Sequence, residues 1–191
     1  MQPINFDPTT FAFVVIDLQK GIVSYPSAPH EASAVVANAA ALAAAFRAKG
    51  SLVFLVRVTP SSDGKDALKP LVDAPMQRGS MQADWAEIVP ELGPKAGDLV
   101  ITKRQWGAFY GTELDMQLRR RGIRTIVLCG ISTNIGVEST ARGAYELGYD
   151  QVLVEDAMTA RSVEEHEMSC NVIFPRLGLV RKTAEVLAAI G

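Results

Sequence analysis

Three groups of residues in this chain have the chemistry to move a proton and to stabilise a negative oxygen. Asp17 closes the apolar run FAFVVID, and Lys103 closes LVITK, with Arg104 and Gln105 directly after it. The small-residue loop 130–135, with Ile131, Ser132 and Asn134, follows the apolar run IVLC and leads into Gly136. A carboxylate, an ammonium and backbone amides facing one cavity are the parts of general acid–base and oxyanion chemistry. Each part also has a plainer use. An Asp at a strand end caps turns, a strand-end Lys is commonly solvated, and a Ser-Thr-Asn run is ordinary turn composition. Only convergence at one end of a sheet gives them a common role.

The elements that would bring them together alternate along the chain. Strand-like runs are expected at 11–17, 51–58, 99–103, 125–129, 151–155 and 179–182. Helix-like runs are expected at 31–49 with Gly50 as terminator, 111–121 closed by Gly122, 136–147 and 163–174. Thr183 is expected to cap a last helix with Glu185 in its first turn. This alternation predicts a parallel sheet with helices on both faces. FVVI, LVFLV and IVL are near-continuous apolar runs, as strands covered on both sides should be. Ligands of such sheets collect at the carboxyl ends of the strands, where Asp17, Lys103 and the loop before Gly136 all fall. The long irregular stretch 59–97, with Pro60, Pro70, Pro75, Pro90 and Pro94, is read as a lid or binding wall, or as a surface for a neighbouring subunit.

The 191 residues suit one domain, 1–191, and 48% hydrophobic against 21% charged residues mark a globular chain. A net charge of -2 gives no reason to expect nucleic-acid or anionic-membrane partners. Residues 1–7 lack the pattern of a signal peptide, and no apolar run is long enough to span a bilayer, so a cytoplasmic setting is expected. Cys129 reads as a core residue, and with Cys170 it makes neither a disulfide framework nor a metal cluster. His166, between Glu165 and Glu167, reads as a solvated position. His30 lies near a Pro-rich turn without a visible partner, and the two histidines are too far apart to form a zinc pair on one helix.

Three blocks in order resemble the isochorismatase-like (cysteine) hydrolase family over almost the whole chain. They are VVIDLQKGI, KRQWGAFYGTELDMQLRRRGI, and IVLCGISTNIGVESTARGAYELGY followed by VLVEDAMTA. The resemblance implies a three-layer α/β/α, Rossmann-like fold on a six-stranded parallel sheet in the order 3-2-1-4-5-6. In that order the first and fourth strands meet at the switch point, and Lys103 must reach inward from further out. Most members resemble nicotinamidases and N-carbamoyl amidases, which use an Asp, a Lys and a Cys. By that correspondence Asp17 is the acid/base, Lys103 the cation, and Gly136 stands at the nucleophile's position, where no thioester can form. True isochorismatases also resemble the chain at this turn, with glycine there. They cleave an enol ether by protonation and water addition, with Asp17 the corresponding proton donor.

The resemblance further implies a non-proline cis peptide between Ile131 and Ser132. Gln19 is expected to hold the Asp17 loop and, with Ile131, Ser132 and Asn134, to contact the substrate. Arg104 and Arg78 are candidates for carboxylate recognition, and Trp106, Phe109 and Tyr110 for the pocket wall. The zinc-bearing members carry histidines after the second strand. Here that region reads RVTPSSDGKD, so neither zinc nor any cofactor is expected. Three functions stay open: isochorismatase-type hydrolysis of a small molecule, amide or carbamoyl hydrolysis through water or a Ser132 or Thr133 hydroxyl, and a non-catalytic binding or assembly role. Relatives are usually dimers or larger closed assemblies, so a homo-oligomer (dimer or tetramer) is expected.

Overall fold

The computed structural model describes residues 2–74 and 82–191. Six parallel strands form one sheet: β1 (Phe11–Ile16), β2 (Leu52–Val58), β3 (Leu99–Lys103), β4 (Thr125–Ile131), β5 (Asp150–Thr159) and β6 (Leu179–Arg181). Their spatial order is β3-β2-β1-β4-β5-β6, the order the resemblance implies. All residues of β1 and β4 are buried, because both strands are covered by helices on both faces. The helices are α1 (Lys20–Val23), α2 (Ala32–Ala48), α3 (Leu114–Arg120), α4 (Glu138–Glu146), α5 (Val163–Met168) and α6 (Thr183–Ile190).

Helix α2 shows how the sequence positions the sheet. Val35, Val36, Ala39, Leu42, Ala43 and Phe46 recur at three- and four-residue spacing and form its buried face. Phe46 stacks on Phe13 of β1 with ring centroids 5.3 Å apart. The many alanines bring the helix close to the sheet and to α6. Gly50, at φ 73, then turns the chain into β2.

Several expected boundaries move. The first helical turn, α1, has no long apolar period and escapes pattern reading. The helix expected from Gly136 begins as a single π turn over Thr133–Val137 and becomes α only at Glu138. The helix expected over 163–174 is α-helical to Met168, then π over Ser169–Ile173 and 3-10 over Phe174–Arg176. Strand β5 runs four residues past its expected end at Glu155. Between Leu128 and Gly130 of β4 its register jumps from Leu153 to Met158, and the polar residues Glu155 and Asp156 ride on that bulge. Thr183 is not the cap of α6. Its backbone N–H and its hydroxyl both donate to Asp156 Oδ1 at 2.7 Å, while the Lys182 N–H donates to Glu185 at the helix entrance.

The switch point lies between β1 and β4, and the two backbones approach closely there. Gly130 sits at φ 127, and a Cβ on it would lie 2.0 Å from the Ile16 carbonyl oxygen. Only glycine fits, and that close approach brings the turn after β4 beside Asp17.

Candidate active site

Asp17 follows the last residue of β1. It is the one non-glycine residue with positive φ, at 54°, among the described residues. This sparsely populated backbone is held by its N–H on the Val56 carbonyl (2.9 Å) and its carbonyl on the Gln19 N–H (2.9 Å). Gln19 is fully buried and clasps the end of β2. Its amide donates to the Val58 carbonyl at 3.0 Å and accepts from the Val58 N–H at 2.8 Å. Gln19 thus holds the Asp17 loop, as expected, and does not line the cavity.

Lys103 reaches inward from the end of β3 and is 1% exposed. Its Nζ lies 2.7 Å from Asp17 Oδ2 and donates to the Trp106 carbonyl at 2.5 Å. Two of the three ammonium protons are thereby placed, and no further protein acceptor meets the third among the described residues. Asp17 Oδ1 is buried without a hydrogen-bond partner among the described residues. Burial pushes the Asp17 carboxyl up to about 6, outweighing the downward pull of the Lys103 charge and hydrogen bond.

Gly136 closes this arrangement. A Cβ there would stand 3.0 Å from Asp17 Oδ2, 3.1 Å from Ile16 Cγ2 and 3.2 Å from Lys103 Nζ. The bare glycine leaves the carboxylate–ammonium pair open to the cavity. The turn is braced from behind: Thr140 Oγ1 donates to the Gly136 carbonyl at 2.7 Å and accepts the Ala108 N–H at 3.1 Å. The Ile131–Ser132 peptide is cis, as the resemblance implies.

The cavity above has a volume of about 1090 Å³. Asp17, Lys103, Arg104, Trp106, Ile131, Ser132 and Gly136 line it, so most of the expected site residues converge. Tyr110 does not. It is 85% exposed and stands outside the cavity, its backbone carbonyl accepting from Gln105. Asn134 also lies outside the lining, where its side-chain oxygen accepts the Ser132 hydroxyl at 2.8 Å. Phe109 packs on Tyr149, and Arg78 lies outside the described residues. Leu68, Val72 and Trp85 show that the described part of the long irregular stretch forms a wall of the cavity. Ile135 lines it too, from the loop the sequence pointed to, while Tyr25, Trp85 and Arg161 sit in turns and loops with no periodic signal to reveal them. Arg104 Nε pairs with Asp66 at 2.6 Å, while its Nη1 is buried without a partner among the described residues. Arg161 lies over the Tyr25 ring, 5.4 Å from its centroid.

The hydroxyls differ in access. Thr133 is fully buried, and its Oγ1 lies 2.9 Å from His166 Nδ1 behind the turn. Ser132 faces the cavity, but its hydroxyl is engaged by Asn134. Cys129 is a core residue, as read, and burial pushes its thiol well above the usual range.

Two histidine expectations are corrected. His166 is 2% exposed, packed among Thr133, Glu155 and Cys170, while Glu165 and Glu167 point around the helix away from it. His30 has a partner: its Nε2 lies 3.0 Å from Glu155 Oε1, and His166 Nε2 lies 3.3 Å from the same oxygen.

The isochorismatase domain family matches residues 11–185. This chain belongs to the isochorismatase family. Members of the isochorismatase family are hydrolases. The chain is 54% identical to the isochorismatase family protein YwoC of Bacillus subtilis, over 100% of this chain and 99% of that protein. An isochorismatase family protein structure from Burkholderia thailandensis superposes with TM-score 0.94 at 48% identity, covering 99% of each chain. The ureidoacrylate amidohydrolase RutB of an Enterobacter species is 34% identical over 82% of this chain and 78% of that protein.

Proposed function

We propose that this isochorismatase-family hydrolase cleaves a small anionic enol ether of the isochorismate type without a covalent intermediate. The observation that carries the reading is the buried Asp17 carboxyl, raised to about 6, facing a glycine where a nucleophile would otherwise stand. A carboxyl in that range is a proton donor near neutral pH.

In this reaction the Asp17 carboxyl gives its proton to the vinyl carbon of the substrate. The electron pair of the double bond forms the new C–H bond, and the oxygen-bearing carbon becomes an oxocarbenium ion. Water adds to that carbon, its proton returns to the Asp17 carboxylate, and the hemiketal collapses to an alcohol and a keto acid. Lys103 steadies the carboxylate left after proton transfer, through the 2.7 Å contact. The orphaned Asp17 Oδ1 is the oxygen free to carry the proton. Arg161 and the unpartnered Nη1 of Arg104 supply donors for substrate carboxylates. Trp106, Trp85 and Tyr25 supply the apolar walls for a ring.

The 34% identity to an amidohydrolase favours amide hydrolysis as the second reading. In that reading water attacks the carbonyl and Asp17 acts as its base, because Thr133 faces away from the cavity and Ser132 has no base beside it. Turnover of isochorismate against a panel of small amides and carbamoyl compounds, by wild type and Asp17→Asn, separates the readings. Enol ether cleavage lost in the variant supports the first. Amide cleavage alone, or equal activity of both proteins on isochorismate, overturns it.

A further inference from the structure

Behind the turn that carries Gly136, a second group of side chains has no part in the proposed reaction. His30, Glu155 and His166 come from three separate parts of the chain, and their donor atoms all lie within 4.8 Å of one another. We propose that these three residues form a binding site for a zinc-class divalent metal ion, with His30 Nε2, His166 Nε2 and Glu155 Oε1 as ligands and solvent in the remaining position. This inference is independent of the reading of Asp17.

The two spacings to Glu155 suit such an ion. Zinc–nitrogen and zinc–oxygen bonds of about 2.0–2.1 Å put neighbouring tetrahedral ligands about 3.3 Å apart. Glu155 Oε1 stands 3.0 Å from one imidazole nitrogen and 3.3 Å from the other. Two imidazoles and one carboxylate are a familiar donor set for a zinc ion that keeps an open position. Metal binding displaces the protons that otherwise bridge these atoms.

The surroundings orient the ligands. His166 Nδ1 lies 2.9 Å from Thr133 Oγ1, and a hydrogen bond donated there leaves Nε2 unprotonated for the metal. The His30 carbonyl accepts from Ser27 Oγ at 3.0 Å and from Thr159 Oγ1 at 2.7 Å, which fixes the backbone that presents the ring. Glu155 sits on the bulge of β5, which carries it out of the regular ladder. His166 is buried, while the side chains of His30 and Glu155 are each about a quarter exposed and give an ion a route in. Two neighbours bear on the site. The Lys182 ammonium lies 3.9 Å from the other oxygen, Oε2, but its side chain is 68% exposed and free to turn into solvent. Cys170 Sγ lies 3.4 Å from His166 Nε2, one helical turn on, a further soft donor whose part the variants below separate from that of His30 and Glu155.

The test is calorimetric titration of metal-stripped protein with zinc chloride, run beside thermal unfolding with and without zinc. The expected result is one saturable equivalent per chain and a rise in Tm. His30→Ala and Glu155→Gln each weaken binding by at least about tenfold, and Cys170→Ser leaves it unchanged. Absence of saturable binding overturns the assignment. So does equal binding by wild type, His30→Ala and Glu155→Gln. Binding lost in Cys170→Ser but kept in His30→Ala also overturns it, because the metal would then sit on the thiol.

Discussion

Replacing Asp17 by Asn should change the pH dependence of stability in a direction opposite to that of most paired carboxylates. In the folded protein the carboxyl titrates at about 6, against 3.8 for an unperturbed Asp, because burial outweighs Lys103. Between these values the folded state holds the proton more firmly than the unfolded chain. The contribution of Asp17 is therefore fully present below about pH 4 and is lost as pH rises through 6. The separation between the two values corresponds to about 3 kcal/mol. Asn has the same shape and does not titrate. The stability of wild type minus that of Asp17→Asn should then fall by about 2 kcal/mol between pH 4 and 6.5. Urea unfolding of both proteins across that range measures it, and subtraction removes groups common to both, including Glu155. A difference that stays flat, or grows with pH, refutes the reasoning. It would mean that Lys103 outweighs burial and that Asp17 carries no proton near neutrality.

Other perturbations have equally definite outcomes. Gly136→Ala places a methyl group 3.0 Å from Asp17 Oδ2 and 3.2 Å from Lys103 Nζ, so a loss of about 1–3 kcal/mol in stability is expected by chemical denaturation, together with lower activity. Lys103→Met removes the one group among the described residues that pulls the Asp17 carboxyl down, so the alkaline limb of the rate profile should move to higher pH. Arg161→Ala should raise KM for a carboxylated substrate by about tenfold or more with a smaller change in kcat, as steady-state kinetics would show.

Much of the scaffold was legible because strands buried on both faces leave uninterrupted apolar runs. FVVI, LVFLV and IVL became β1, β2 and β4, and Gly50 ended α2 as read. Asp17 and Lys103 stood out because each closes such a run. That they meet depends on the order of strands in space, which the family resemblance implied and periodicity does not encode. β5 was cut short because Glu155 and Asp156 look like the end of a strand, whereas they sit on a bulge within it. His166 was misjudged from its charged neighbours, although residues adjacent in a helix point in different directions. Its meeting with His30 is purely tertiary and leaves no local pattern. Tyr25 and Trp85 come from loops, whose side-chain directions follow from contacts that form only in the folded chain.

The central claim is that Asp17 delivers a proton in the rate-determining chemistry, and kcat/KM for isochorismate between pH 5 and 8 tests it most directly. Wild type should hold a plateau below about pH 6 and then lose about tenfold per pH unit, while Asp17→Asn should be flat and lower by about 10²–10⁴-fold. A wild-type rate that rises through pH 6, or a variant that matches it, would contradict the account.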